Sequence, residues 1–583
     1  MTFDIVMVAY NSAKWLRPCI AALAAQSFAL KDLNIYIVDN ASSDATAAAV
    51  EELQKEYTAF GAFEFLSLRK NKGFGYGCNR GAERGSGGYV FFLNVDTEVF
   101  PSMFENLAAF IEAHPQGGAF ECRQLPYEMG HHYDPVTLET SWASAAALAV
   151  KRDVFEKIGG FDEHLFMYCE DVDLSWRIRA GGWPLYYVPQ AAVTHHVLQR
   201  GEETSLREYS YTWLNELLLR YKFGTFWQIW QGNRLYLKEL RHPRHFDGVR
   251  KALLRRYISH FYKLWPFLFW RLWHKGGARR VPARFENGFE AERGRAVWEP
   301  APRSPFISLV VRTCSRPATL QKTLECLRHQ TYKNFEVIVT EDGPDTARNM
   351  IEQQFADLPV RYYASGERRG RGKNGNYGLS VAKGEYCNFL DDDDYLYADH
   401  LELMAQTAAR HPEADLILGC AMAMKAETIQ KDPYRFEVKE VFPMRFDRVD
   451  LFTMCQTCQI PIQSAMFKKT LFEKYGGLDE RLEGNEDWAM WMNFLSHGKR
   501  IDPDHVDIHR ATSIFVLPAG EKDAEERLEK YKIYDEAFFN DPKMEFCVSL
   551  AQMRKFYKDV LGDVAHLQRM GKLEEFLEKH LKG

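Results

Sequence analysis

The sequence predicts two α/β domains of one plan, each on a mostly parallel sheet, with a helical basic and aromatic segment between them and a helical tail. Length is the first reason: 583 residues, at roughly 100–200 per domain, ask for more than one. An internal repeat is the second. "DIVMVAYNSAKWLRPCIAALAAQSF" (4–28) and "SLVVRTCSRPATLQKTLECLRHQTY" (308–332) both read as apolar strand, turn and helix. The third is the alternation of strand and helix that follows each copy, which implies a helix-covered, parallel sheet.

Each opening strand is a β-branched run suited to burial on both faces. A second strand ends in acid in both copies, "IYIVDNASSDAT" (35–46) and "EVIVTEDGPDTA" (336–347). A third, at Val90–Leu93 and Tyr386–Leu390, runs into "FFLNVDTEV" (91–99) and "FLDDDDYL" (389–396). Such sheets bind ligands beyond the carboxyl ends of their strands, where Asp39, Glu341, Asp96 and Asp391–Asp394 fall. The domains read as 1–200 and 301–520, the joining segment as 201–300 and the tail as 521–583.

The net charge of −6 gives no general reason to expect nucleic acid. It is unevenly spread: Val197–Arg284 holds 18 Lys/Arg against 6 Asp/Glu, a local +12 that leaves the rest near −18. Aromatics interleaved with cations there suit an anionic membrane surface. Eleven scattered cysteines fit a reducing compartment, and the one CxxC, Cys455–Cys458, reads as packing. No leader peptide and no apolar run of about 18 residues is seen. The expected place is the cytoplasm, with attachment at the inner face of the cell membrane.

The acid clusters suit a hard divalent cation, Mg²⁺ or Mn²⁺, which shares its shell with phosphates. Alternation along an extended segment would aim Asp391 and Asp393 together and Asp392 away. A second acidic pair opens a Trp-bearing helix in both copies: Glu170 and Asp171 in "FMYCEDVDLSWRIRAGGW", Glu486 and Asp487 in "EGNEDWAMWMNFLSHGKR". The helix dipole favours acids there; a fixed carboxylate there can also take a proton from an attacking hydroxyl.

With these motifs the chain resembles family 2 of the inverting, nucleotide-sugar-dependent glycosyltransferases, which have the GT-A fold, twice over. "VAYNS", "VDNASSD", "NKGFGYGCNRGA", "FLNVDTEVFP", "GGFDEHLFMYCEDVDLSWRIRAGG" and "VPQAAVTHH" carry the likeness to bacterial rhamnosyltransferase-type members in the first half. "RTCSRP", "VIVTEDGPD", "GNYGLSVAKGEYCNFLDDDD" and "GNEDWAMWMNFL" carry it in the second. The resemblance implies that Ala9, Tyr10, Asn11, Asp39, Lys72, Gly73 and Asn79 hold the donor in the first half. In the second it implies Arg312, Thr313, Arg316, Glu341, Arg371, Lys373 and Asn376, with Asp392 beside the metal pair. Glu341 stands where the family usually has Asp. Metal ligands are implied at Asp96 and His195, and at Asp391, Asp393 and His509; His195 would replace the acid missing at Asn94. Asp171 and Asp487 match the base, with Glu170 and Glu486 as alternatives, while Trp176 and Trp488 are candidate acceptor platforms.

The implied activity is successive transfer of two sugars from dTDP- or UDP-type donors onto a bacterial surface glycan, such as O-antigen or capsule, carried on a lipid. One live domain with a glycan-binding partner, and a two-site processive polymerase, stay open.

Overall fold

A computed structural model describes residues 1–520 except 129, 197–205, 244–247, 275–284, 286–292, 295, 445, 447, 456, 483 and 504. The expected tail, 521–583, lies outside the described residues. The chain forms two compact units, Met1–Glu299 and Pro300–Gly583.

The first unit's sheet has strands β1 (Phe3–Ala9), β2 (Leu33–Asp39), β3 (Ala62–Ser67), β4 (Tyr89–Leu93), β5 (Thr97–Val99), β6 (Ala119–Leu125), β7 (Glu139–Thr140), β8 (Ala147–Lys151) and β9 (Leu185–His195). Their order is β3-β2-β1-β4-β8-β6-β9-β5, with β7 beside β9. The first four are mutually parallel, and β8 runs antiparallel between β4 and β6. β1 reads FDIVMVA because helices cover both of its faces. Its one acid, Asp4, is fully buried and held by Arg152, Asn34 and the Gly87 amide.

The second unit has β10 (Ile307–Thr313), β11 (Phe335–Glu341), β12 (Val360–Ala364), β13 (Tyr386–Asp391), β14 (Tyr395–Leu396), β15 (Leu416–Lys431), β16 (Tyr434–Met444), β17 (Ala465–Lys468) and β18 (Ile508–Pro518). Their order, β12-β11-β10-β13-β17-β15-β18-β14, repeats the first sheet strand for strand. The difference is β16, which forms a long hairpin with β15.

The segment after the first sheet is helical, with helices at Leu206–Phe223, Phe226–Arg241, Val249–His260 and Leu264–Trp273. These belong to the first unit: Leu214, Leu217, Leu218, Tyr236, Leu253 and Phe267 share one core with Leu165, Val172 and Trp176. No helix among the described residues is long and apolar enough to cross a membrane.

The glycine-rich segments are helices, Phe74–Ala82 and Arg371–Val381. Their glycines serve packing: a Cβ on Gly77 or Gly378 would lie 2.8 and 2.4 Å from valine methyls of β1 and β10. Gly73, at φ +101°, is different, since a Cβ there would meet the Phe166 carbonyl oxygen at 2.3 Å.

Candidate active site

In both units the ends of the first, second and fourth strands meet the start of the acid-bearing helix. The Ala9–Asp39 register puts the loops after β1 and β2 side by side. Asn11, at φ +52°, locks them together: its amide NH donates to Ser42 Oγ at 2.8 Å and its side-chain oxygen accepts from Ser43 N at 2.8 Å. Asp39 is buried and accepts from Ser42 N at 2.9 Å. Tyr10 stands half-exposed above this floor, and Lys72 lies over the Tyr76 ring at 4.3 Å.

Beyond β4, the Asn94 amide donates to Ala146 O at 2.9 Å, which sets the "NVD" segment against the loop that faces Asp171. Asp96 Oδ1 lies 3.5 Å from His195 Nε2, and Asn94 Nδ2 lies 3.4 Å from the same nitrogen. His195 Nδ1 donates to Gln124 Oε1 at 2.9 Å. That contact orients the ring with Nε2 toward Asp96, the usual second-layer arrangement behind a metal-binding imidazole. An imidazole nitrogen beside a carboxylate fits a Mn²⁺-type ion. Among the described residues no cluster of three His, Cys, Asp or Glu is formed, so such an ion would share its shell with the donor's phosphates.

Helix Glu170–Ala180 begins after two residues in left-handed geometry, Tyr168 (φ +67°) and Cys169 (φ +64°). Strain of this kind at non-glycine residues gathers at functional sites. Burial first, and then the charge of Asp171, pushes the Glu170 carboxyl above its ordinary range. Burial first, and Glu121 among the charges, does the same for Asp171.

The second unit reaches its site by other means. Arg312 replaces the valine found at the matching place in β1, Val8. Its guanidinium binds Asp391 through two bonds of 2.7 and 2.9 Å and Glu486 through one of 2.9 Å. Burial alone would raise the Asp391 carboxyl, but Arg312 beside it holds it below the usual range. Arg316 binds both Asp392 and Asp393, the latter at 2.9 Å. Asp392 is fully buried, with Thr313 Oγ1 donating to it at 2.6 Å, while Asp391 and Asp393 side chains are 28% and 41% exposed. The strand ends at Asp391 and the chain turns there, Asp394 N donating to Asp391 O at 3.1 Å, so strand alternation does not set these side chains: Asp391 pairs with Arg312, and Asp392 and Asp393 share Arg316. Burial and then the charge of Glu486 raise the Asp487 carboxyl, against the pull of Arg312. Asp391 and Asp393 could hold a divalent cation, their oxygen-only donor set suiting Mg²⁺ or Mn²⁺, with Arg312 and Arg316 beside them as cationic donors suited to a diphosphate.

Several sequence expectations are redirected. His509 is exposed on β18, away from the acid run. The strand register explains this: β5 pairs Glu98 with Thr194, and β14 pairs Tyr395 with Ile514. The residue matching His195 is thus Phe515, and the second unit has no histidine there. Trp176 is 1% exposed, edge-on to Phe223 and Phe285. Trp488 is 4% exposed and donates its indole NH to Met454 O at 2.8 Å. Both are core residues without a free face for a sugar. Asn79 and Asn376 bind the backbones of Phe161 and Leu478 in matching ways, so they position the "GGFDE" and "GGLDE" loops. Glu341 is fully buried among Ser315 N, Thr346 and Tyr362 OH, where it holds its own loop. Arg371 and Lys373 remain exposed, Arg371 3.8 Å from Glu486.

Sequence reading missed Glu121, which is 2% exposed, accepts from Ser144 N at 3.1 Å and lies 3.2 Å from His131 Nε2. An acid inside the apolar strand "GAFECRQL" was the available signal. It also missed the buttress under the acid pair: Asn215 donates to Met167 O and Tyr168 O, and Lys222 binds Asp162 and Asp173.

Paired acids at strand ends, a strained helix start carrying raised carboxyls and a repeated doubly wound sheet define an α/β group-transfer enzyme. The model of glycosyl transferase family 2 matches residues 4–174 and 308–476. The chain belongs to that family, with a copy of its domain in each unit. It is 27% identical over 201 residues to a glycosyltransferase of Rickettsia typhi (33% of this chain, 59% of the relative). It is 31% identical over 152 residues to the putative glycosyltransferase EpsH of Bacillus subtilis (24% and 43%). It is 28% identical over 238 residues to N-acetylglucosaminyl-diphospho-decaprenol L-rhamnosyltransferase of Mycobacterium tuberculosis (33% and 75%). The chain spans 59% and 43% of the length of the first two.

Proposed function

We propose that the chain is a two-site inverting glycosyltransferase that adds sugars from nucleoside-diphosphate donors to a lipid-linked bacterial surface glycan. The observation that carries this is the raised, half-buried carboxyl of Asp171 and of Asp487, each the second residue of the matching helix beside two copies of one sheet. A raised carboxyl near neutrality suits a general base. Asp171 or Asp487 would take the proton of the acceptor hydroxyl as its oxygen bonds to the anomeric carbon from the face opposite the leaving diphosphate. One displacement inverts the configuration and needs no covalent enzyme intermediate. Ala9, Tyr10, Asn11 and Asp39 would hold the nucleotide in the first unit, and Arg312, Thr313 and Arg316 would serve in the second. Asp96 and His195, and Asp391 and Asp393, would hold a divalent cation, which when bound neutralises charge on the leaving diphosphate. The rhamnosyltransferase named among the relatives supports a deoxyhexose donor for the first unit.

Separate Asp171→Asn and Asp487→Asn variants, given a panel of dTDP-, UDP- and GDP-sugars and a lipid-linked acceptor, test this. Each should lose one linkage and keep the other. Retention of both linkages at full rate by either variant rejects that site. A second reading, one transferase with a glycan-binding partner, is favoured by the arginine clamp on Asp391 and by Phe515 in the place of His195. Under it Asp487→Asn changes acceptor affinity only.

A further inference from the structure

The first unit carries an apolar surface that donor and acceptor chemistry does not use. Of the twenty large hydrophobic residues exposed in the described chain, thirteen lie between Phe226 and Trp273. Phe226, Trp227, Trp230 and Leu237 form a stripe along one face of helix Phe226–Arg241, with exposures of 83, 61, 50 and 51%. The opposite face, through Tyr236, is packed into the core beside the acid-bearing helix. Trp265, Phe269, Leu272 and Trp273 line the outside of helix Leu264–Trp273, at 58 to 89% exposure. Arg271 lies over the Phe226 ring at 5.1 Å and joins the two aromatic faces. Between them helix Val249–His260 turns Leu254 and Ile258 outward among Arg250, Lys251 and Arg255.

Exposed apolar clusters of this size mark an interaction surface, and here the charge selects the occupant. Across 248–274 the chain has six Lys/Arg and no Asp or Glu. A second copy docking symmetrically through the same face would set cation against cation. A bilayer interface matches both features: tryptophan and tyrosine rings sit at headgroup depth, and basic side chains reach anionic headgroups.

We propose that helices Phe226–Arg241, Val249–His260 and Leu264–Trp273 dock the first unit onto an anionic bilayer, lying in the interface without crossing it. This goes beyond transfer chemistry, yet it bears on it. Asn215 and Lys222 of the neighbouring helix hold the loop and helix that carry Glu170 and Asp171. The docking helices and the acid pair are thus one body, and a bilayer-anchored acceptor would find the base at a fixed height above the membrane.

Flotation of the full chain with vesicles of phosphatidylcholine, alone or mixed with phosphatidylglycerol, tests this without any sugar substrate. The wild type should float with anionic vesicles, bind neutral ones far less, and lose binding as salt rises from about 0.1 to about 0.5 M. Phe226→Ser/Trp230→Ser/Phe269→Ser should bind at least about tenfold less. Lys238→Glu/Lys251→Glu/Arg255→Glu should lose roughly fivefold or more per cation. Exposed cations tolerate such changes, so this second variant keeps the test open if the first does not fold. Three results overturn the assignment. The wild type stays in the soluble fraction with both vesicles; or both variants float as it does; or sedimentation shows a lipid-free dimer that the serine variant dissociates. None of the three touches transfer to a soluble acceptor, which the Asp171 and Asp487 variants decide.

Discussion

Arg312→Met should destabilise the second unit in a strongly pH-dependent way. The guanidinium makes three bonds, two to Asp391 and one to Glu486, and it is 6% exposed. Removing one partner of a buried pair costs about 3–5 kcal/mol because the other charge is stranded. Asp391 is 28% exposed, so water screens part of the loss and the low end, about 3 kcal/mol, is expected near pH 7.5. In the wild type, Asp391 titrates below the usual range. Its contribution is therefore present above the unfolded value of about 4 and lost as pH falls through the lower folded value. In the variant the sign reverses. The stranded carboxylates bind protons more tightly folded than unfolded, so stability falls as pH rises. At pH 4.5 the cost should shrink to about 1–2 kcal/mol, the value of lost hydrogen bonds. Urea titration read by hydrogen–deuterium exchange in peptides from Ile307–Thr313 and Glu486–His497 isolates this unit. An equal penalty at both pH values would refute the stranded-charge reasoning.

Asp171 is pushed up to about 6 by burial, and a base must be deprotonated. The kcat/KM of the first linkage should thus rise with pH through a limb near 6 instead of near 4, and Glu121→Gln should move that limb down. Trp176→Ala should cost about 3–5 kcal/mol of first-unit stability while leaving acceptor KM unchanged at a temperature where the variant is folded. His195→Ala should raise the Mn²⁺ concentration needed for half-maximal first-unit activity at least about tenfold, with the second linkage unaffected. Phe515→Ala should leave metal dependence unchanged in both.

The repeat, the mostly parallel sheet of each half and the positions of the paired acids were legible in the chain, because buried parallel strands impose long apolar runs and the acids recur at the same places after them. What each side chain does there was not. His195, 24 residues beyond Asp171, lies beside Asp96, whereas His509 lies away from the acid run, since only strand register shows that Phe515 takes the matching place. Trp176 and Trp488 sit beside the acids in sequence, but helix periodicity turns both into the core. Asn79, Asn376 and Glu341 have the residue types of ligand contacts, and folding engages them in holding loops. Local pattern determined the fold and where the site lies. Contacts between residues 79 or more positions apart, such as Arg312 with Asp391 and Glu486, decided which charges meet there, because burial and pairing are properties of the assembled sheet.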